Sequence, residues 1–173
     1  MRQITVTYPS GSKADYSTGV KARDAVAPLG PFAWPLAAVL ANNELMSLDE
    51  ALVTDCALEP VTIDTTQGAN AYRRSLCFLL AIAARDLHPG RRLVAGMAIG
   101  TGFYHFFDDD APLTEDELAK LGAHMRDLVE RDVPISIEQK SYAEAVEYFG
   151  KSGQTDTLLL LEQQNSPVIP LNE

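Results

Sequence analysis

The side chains best suited to ligand chemistry fall between residues 71 and 110. Arg73 and Arg74 offer forked, permanently charged donors that match phosphate or carboxylate. Cys77 follows one helical turn later, and Tyr104 and His105 sit in the aromatic run Phe103–Phe107. Guanidinium, thiol, phenol and imidazole groups lining one cleft would make an anion or nucleotide site, so these five residues are the candidate ligand-binding set. A zinc site is a different demand, because three or four Cys, His or carboxylate ligands must converge. His88, His105 and His124 are far apart in sequence, and none sits four residues from a cysteine or another histidine. No metal site and no catalytic residue is assigned.

Each group also has a structural reading. His88, beside Pro89, reads as a helix-end residue, and His124 as a solvated residue on the polar side of its helix. Cys77 reads either as a small buried hydrophobe or, if it faces the arginines, as a thiol of lowered pKa. His105 stays open between a hydrogen-bonded sheet residue and a functional one. Asp108, Asp109 and Asp110 read as an acidic turn. Gly96 to Gly102 is glycine-rich but leads into a strand, and no Gly-x-x-x-x-Gly-Lys-Ser/Thr motif occurs, so nucleotide binding by this loop is not expected.

A long helix over 67–87 and a hairpin must position these groups. Leu76, Leu79, Leu80, Ala83 and Leu87 recur at three- and four-residue steps, which places them on one apolar face. His88-Pro89-Gly90 ends the helix. Arg92–Gly96 and Phe103–Phe107 read as two strands joined by a turn at Gly100-Thr101-Gly102. Alternation puts Phe103, His105 and Phe107 on one face and Tyr104 and Phe106 on the other.

The chain has 173 residues, 46% hydrophobic and 22% charged, which suits one domain or two small ones. A formal net charge of −10 excludes broad, sequence-independent nucleic-acid binding but leaves room for a local basic patch. No apolar run is long enough for a membrane span, the N-terminus lacks a signal-peptide core, and two isolated cysteines make no disulfide framework. A cytoplasmic protein is expected.

Upstream, residues 2–8 alternate as a strand, Pro9–Ser12 turns, and Lys13–Tyr16 returns. A short helix over Ala22–Ala27 is stopped by Pro28 and Gly30. Ala37–Ala41, a turn at Asn42-Asn43, Glu44–Met46 and Leu58–Ile63 complete a β-grasp order. Asp64-Thr65-Thr66 caps the long helix. Downstream, Thr114-x-x-Glu117 and Ser141-x-x-Glu144 are capping boxes opening two further helices. The first of these carries an apolar face of Leu118, Leu121, Met125, Leu128 and Val129 and is ended by Val133-Pro134-Ile135, which starts a strand toward Ile137. The second buries Val146 and Phe149. Thr157–Leu161 reads as a central strand buried on both faces, and Pro167–Pro170 as an edge or tail.

Ile4-Thr5-Val6, Pro9–Ser12 and Ala38–Asn42 resemble a TGS domain, a small β-grasp module. Tyr72–Leu80 and Gly102-Phe103-Tyr104 resemble the editing domain of threonyl-tRNA synthetases, whose helix carries a His-Ser-x-x-x-His segment before a Leu-Leu pair. The two histidine positions fall on Arg74 and Phe78 here. The resemblance implies an α+β chain: a TGS-like β-grasp domain over 1–62, then a threonyl/alanyl-tRNA synthetase editing-like domain over 63–173. It also implies that this second domain is incomplete at its C-terminus, a further Cys-and-His pair and the closing strands following Glu173.

The same pair of domains occurs in uridine kinase-like proteins, ahead of a P-loop kinase domain. Tyr72–Leu76, Asp156–Gln163 and Pro167-x-Ile169-Pro170-x-Asn172 resemble that group. The leading expectation is therefore a non-catalytic, ligand- or RNA-sensing N-terminal module of a uridine kinase-like protein. ATP and magnesium would belong to the absent kinase domain, and no cofactor to this chain. The alternatives are a divergent editing domain that hydrolyses mischarged aminoacyl-tRNA, and a structural or dimerising module. The expected partners are tRNA, another RNA or a small nucleotide, and no membrane; self-association stays open.

Overall fold

A computed structural model describes residues 2–109, 111–133, 135, 137–164 and 166–172. The chain forms a mixed α+β structure in two compact units, Met1–Met125 and Arg126–Glu173.

The first unit opens with β1 (Gln3–Thr7), where Ile4 and Val6 point inward by simple alternation. It turns into β2 (Lys13–Ser17) in an antiparallel register from Gln3↔Ser17 to Thr7↔Lys13. Next come β3 (Val20–Lys21) and α1 (Ala22–Val26). Pro28 does not stop this helix directly; it sits inside a 3-10 turn, Ala27–Leu29, that ends at Gly30. Proline suits that place because it needs no amide donor in a first turn.

β4 (Leu36–Ala41) and β5 (Glu44–Met46) are joined by Asn42 and Asn43 at φ 51° and 67°, conformations asparagine tolerates better than most residues. β6 (Ala51–Leu52) pairs with β3, and β7 (Cys56–Thr62) runs through the sheet centre. The strand order is β2-β1-β7-β4-β5, with β1 and β7 parallel and the other neighbours antiparallel. This is the β-grasp order expected from the sequence. Ile4, Val6, Val26, Val39, Leu58 and Val61 are the largest fully buried side chains.

α2 (Thr66–Leu87) then begins under a Thr65 cap, whose hydroxyl accepts from the Gly68 amide at 3.0 Å. β8 (Leu93–Ile99) and β9 (Gly102–Phe107) form the expected hairpin, with a register shift between Ala95 and Ala98. The capping box at Thr114 and Glu117 opens α3 (Glu115–Glu130). Ala83, Ala84, Phe107 and Leu121 form a small core with Leu93, Leu113 and Met125.

The apolar faces are narrower than the periodicity suggests. On α2 burial is complete only at Gly68, Ala83 and Ala84, while Leu76 and Leu87 are 37% and 39% exposed. Two alanines admit the Phe107 ring, whereas the bulkier leucines above and below lack neighbours to cover them. On α3 Leu121 and Leu128 are buried, but Leu118 and Val129 stand in solvent at the edge of the stripe.

The second unit contains β10 (Ile137–Ser141), α4 (Tyr142–Lys151), α5 (Thr155–Glu162) and β11 (Val168–Asn172). β10 and β11 pair antiparallel, Ile137↔Asn172 to Ser141↔Val168, which makes the Pro167–Pro170 stretch an edge as expected. Pro134, expected to end α3, and Asp110 of the acidic turn lie outside the described residues.

Two expectations fail here. Thr157–Leu161 is not a central strand but part of α5. A short apolar run does not distinguish a buried strand from a helix, leucine is a strong helix former, and no β-branched residue follows Thr157 in the run. Only Leu161 enters the core, while Leu159 is 60% exposed. On α4 Ala145, not Val146, is the core residue; Val146 is exposed and Phe149 half-buried.

Candidate functional site

Arg73, Cys77, Leu80 and Ala84 are spaced at i, i+4, i+7 and i+11, so they share one stripe of α2. That stripe ends in the core at Ala84, against Phe107 and Leu93 of the hairpin. On β9, alternation gives His105 the same face as Phe107. Arg73 and Cys77 thus share the α2 stripe of Ala84, and His105 the β9 face of Phe107, while α2 and the hairpin pack together at Ala83, Ala84, Leu93 and Phe107. Arg74 and Tyr104 lie on neither surface. Arg74 is one residue off the stripe and exposed, and Tyr104 lies on the outer hairpin face.

Arg73 as a whole residue is half-buried, and its guanidinium donates from Nη1 to the Asn70 side-chain oxygen at 3.0 Å, one turn back along the helix. Cys77 is a free, half-buried thiol. His105 is half-buried, its Nδ1 3.3 Å from the Phe103 carbonyl. If Nδ1 holds the proton in that contact, Nε2 is left as an acceptor. Tyr104 is 52% exposed and stacks on Phe106, ring centroids 5.7 Å apart and planes 25° from parallel. The pair lies over Gly96, where a Cβ would come within 3.0 Å of the Tyr104 carbonyl oxygen.

The other arginines of this region are committed to carboxylates. Arg91 grips Asp109 through Nε and Nη2, donates to the Ala111 carbonyl at 3.0 Å, and lies 4.1 Å over the Phe107 ring. Arg92 pairs with Asp108 at 2.7 Å and Arg85 with Asp86 at 3.5 Å. The acidic turn and the arginines therefore balance each other locally, while the Arg73 bond goes to a neutral amide. His124 is not the solvated residue the sequence suggested: its Nε2 lies 3.0 Å from Asp86 Oδ2, joining α3 to α2. His88 caps α2 as expected, with its ring edge-on to Phe107 at 5.3 Å. Sequence spacing could not reveal the His124–Asp86 contact, because the partners are 38 residues apart.

These pairs make stability pH-dependent. Hydrogen bonding from His124 lowers the Asp86 carboxyl below its usual 3.8, and Arg91 does the same for Asp109. Bonds from the Thr114 amide and hydroxyl lower Glu117 below 4.5. A carboxyl depressed in the folded state contributes stability above its ordinary pKa and loses it as pH falls through the folded value. The melting temperature should therefore hold nearly constant between about pH 7 and 5 and fall below about pH 4. Asp109→Asn should flatten that acid limb. Thermal melts of both proteins across this range check it, and an identical acid limb would contradict the assignment.

Among the described residues no group of three or more His, Cys, Asp or Glu side chains is placed to hold a metal ion. Nor is any described helix long and apolar enough to cross a membrane.

No family model matches the chain. It is similar, over most of its length, to threonine–tRNA ligases. It is 32% identical to that of Symbiobacterium thermophilum over 161 residues, which is 92% of this chain and 25% of the ligase. It is 33% identical to the Hahella chejuensis ligase over 150 residues, 86% of this chain and 24% of the ligase. For the Phenylobacterium zucineum ligase the figure is 29% over 160 residues, 92% of this chain and 24% of the ligase. The chain is thus a threonine–tRNA ligase-like region, and it spans about a quarter of the length of these relatives.

Proposed function

We propose that this chain is a tRNA-contacting region of a longer, cytoplasmic, threonyl-tRNA synthetase-like protein, and that it recognises RNA without hydrolysing it. In this proposal residues 1–62 are the TGS-like module and 63–173 the editing-like domain. The observation that carries the reading is Arg73, on the Cys77–Leu80–Ala84 stripe of α2 and bonded to a neutral amide in a chain of net charge −10. A forked cation on such a stripe suits a phosphate or a terminal ribose-phosphate. Hydrolysis is left out because Arg74 and Phe78 stand where the editing resemblance places its two histidines; neither can ligate zinc or shuttle a proton near neutral pH. No cofactor is part of the proposal.

The test is equilibrium binding of tRNA across salt for wild type and for Arg73→Ala. Loss of one phosphate contact should weaken binding by roughly tenfold and lower the salt slope by about one. Equal binding by both proteins, or none by either, contradicts the proposal.

A second reading has one observation in its favour: the relatives reported above are named threonine–tRNA ligases, which favours an editing domain that still hydrolyses mischarged aminoacyl-tRNA. The same names favour a synthetase context over the kinase context suggested by the short C-terminal motifs. Sequencing the full-length transcript separates those contexts, by a class II synthetase domain or a P-loop kinase domain.

A further inference from the structure

We infer that the first unit holds a separate binding site for an uncharged, planar aromatic small molecule, in the cavity where α2 leaves β4. The cavity is an open depression of about 370 Å³, lined by half-buried Leu36, Ala37, Ile63 and Ala71 with exposed Pro35, Tyr72 and Ser75 at its rim. That volume lies within the range of small-molecule sites.

The gap has a structural cause. α2 starts hard against the end of β7, where Gly68 leaves no room for a side chain beside the Thr62 carbonyl. One turn later, the small residues Ala71 and Ala37 line the space between α2 and β4 without filling it. The Ile63 amide donates to the Pro35 carbonyl at 3.0 Å, fixing the two chain segments of the opposite wall to each other. Ala71 and Ser75 sit across α2 from the Arg73–Cys77 stripe, so this site is distinct from the proposed RNA contact.

Ligand class follows from the lining. No carboxylate, amine, guanidinium or imidazole contributes, so a charged ligand would lose hydration without gaining a partner. Tyr72 and Pro35 offer flat surfaces to a ring. The Ser75 hydroxyl already donates to the Ala71 carbonyl at 3.1 Å, which leaves it an acceptor for one N–H or O–H donor on the ligand. Trp34, the only tryptophan, precedes Pro35 and is 55% exposed, which provides an intrinsic reporter.

The probe is N-phenyl-1-naphthylamine, neutral, aromatic and carrying a single N–H. Titrated into the protein, it should bind with one-to-one stoichiometry, brighten, and change Trp34 emission. Ala71→Leu and Ala37→Leu fill the cavity and should each weaken binding by on the order of tenfold, with the far-UV spectrum unchanged. Phe103→Ser, on the exposed hairpin, should leave binding as it was. Should the filling variants not fold, magnetisation transfer from the probe to the Leu36 and Ile63 methyl groups of the wild type decides the matter. Affinity unchanged by both fillings, loss of binding in Phe103→Ser alone, or no transfer to those methyls overturns the inference.

Discussion

Gly68→Ala is expected to destabilise the protein by about 3 kcal/mol or more, the upper end of what overpacking costs. Taken alone, alanine inside a helix should stabilise by about 1 kcal/mol over glycine. Geometry reverses that sign. A Cβ at Gly68 would sit 2.1 Å from the Thr62 carbonyl oxygen and 2.7 Å from its carbon. Nor can that carbonyl swing aside, because it accepts from the Thr65 amide at 3.0 Å and the Thr65 hydroxyl at 2.8 Å. The same Thr65 hydroxyl caps the Gly68 amide, so moving α2 outward would also break its cap. Urea unfolding of the wild type and the variant measures the difference. A neutral or stabilising substitution would mean that α2 is not seated on the end of β7.

Leu58→Ala should cost about 2–5 kcal/mol, the range for leucine truncated in a packed core. Leu58 is fully buried in the central strand of the β-grasp sheet, opposite Ala41 of β4. Val39 and Val26, equally buried, are β-branched and stiff, so the void would collapse poorly. The matched control is Leu159→Ala on α5. Leu159 is mostly in solvent, and its truncation should stay within about 0.5 kcal/mol. If Leu159→Ala cost as much as Leu58→Ala, the apolar run would be the buried strand its sequence suggests, and α5 would be wrong.

That contrast marks where the sequence is legible. Local chemistry reads well: Asn42-Asn43 as a turn, Thr65 as a helix cap, and Thr114–Glu117 and Ser141–Glu144 as capping boxes all depend on atoms a few residues apart. Alternation in β1 and in β9 reads well for the same reason. What fails is whatever depends on distant partners. Leucines on one helix face are buried only if something covers them, and Leu76, Leu87 and Leu118 are not covered. His124 finds Asp86 on another helix, and Thr157–Leu161, an apolar run that suits either a strand or a helix, is part of α5. In the candidate site, spacing alone separates Arg73 and Cys77 from Arg74, and His105 from Tyr104. The Asn70 bond that orients Arg73 has no sequence signature beyond its three-residue offset.

Recognition without hydrolysis is tested most directly by the rate at which seryl-tRNA loses its amino acid in the presence of this protein. The rate should equal that in buffer at every protein concentration, up to saturation of the tRNA, and a chelator should change nothing. A rate that rises with protein concentration and falls away in His105→Ala or Cys77→Ala would contradict the account. That result would show an editing site rebuilt between α2 and the hairpin.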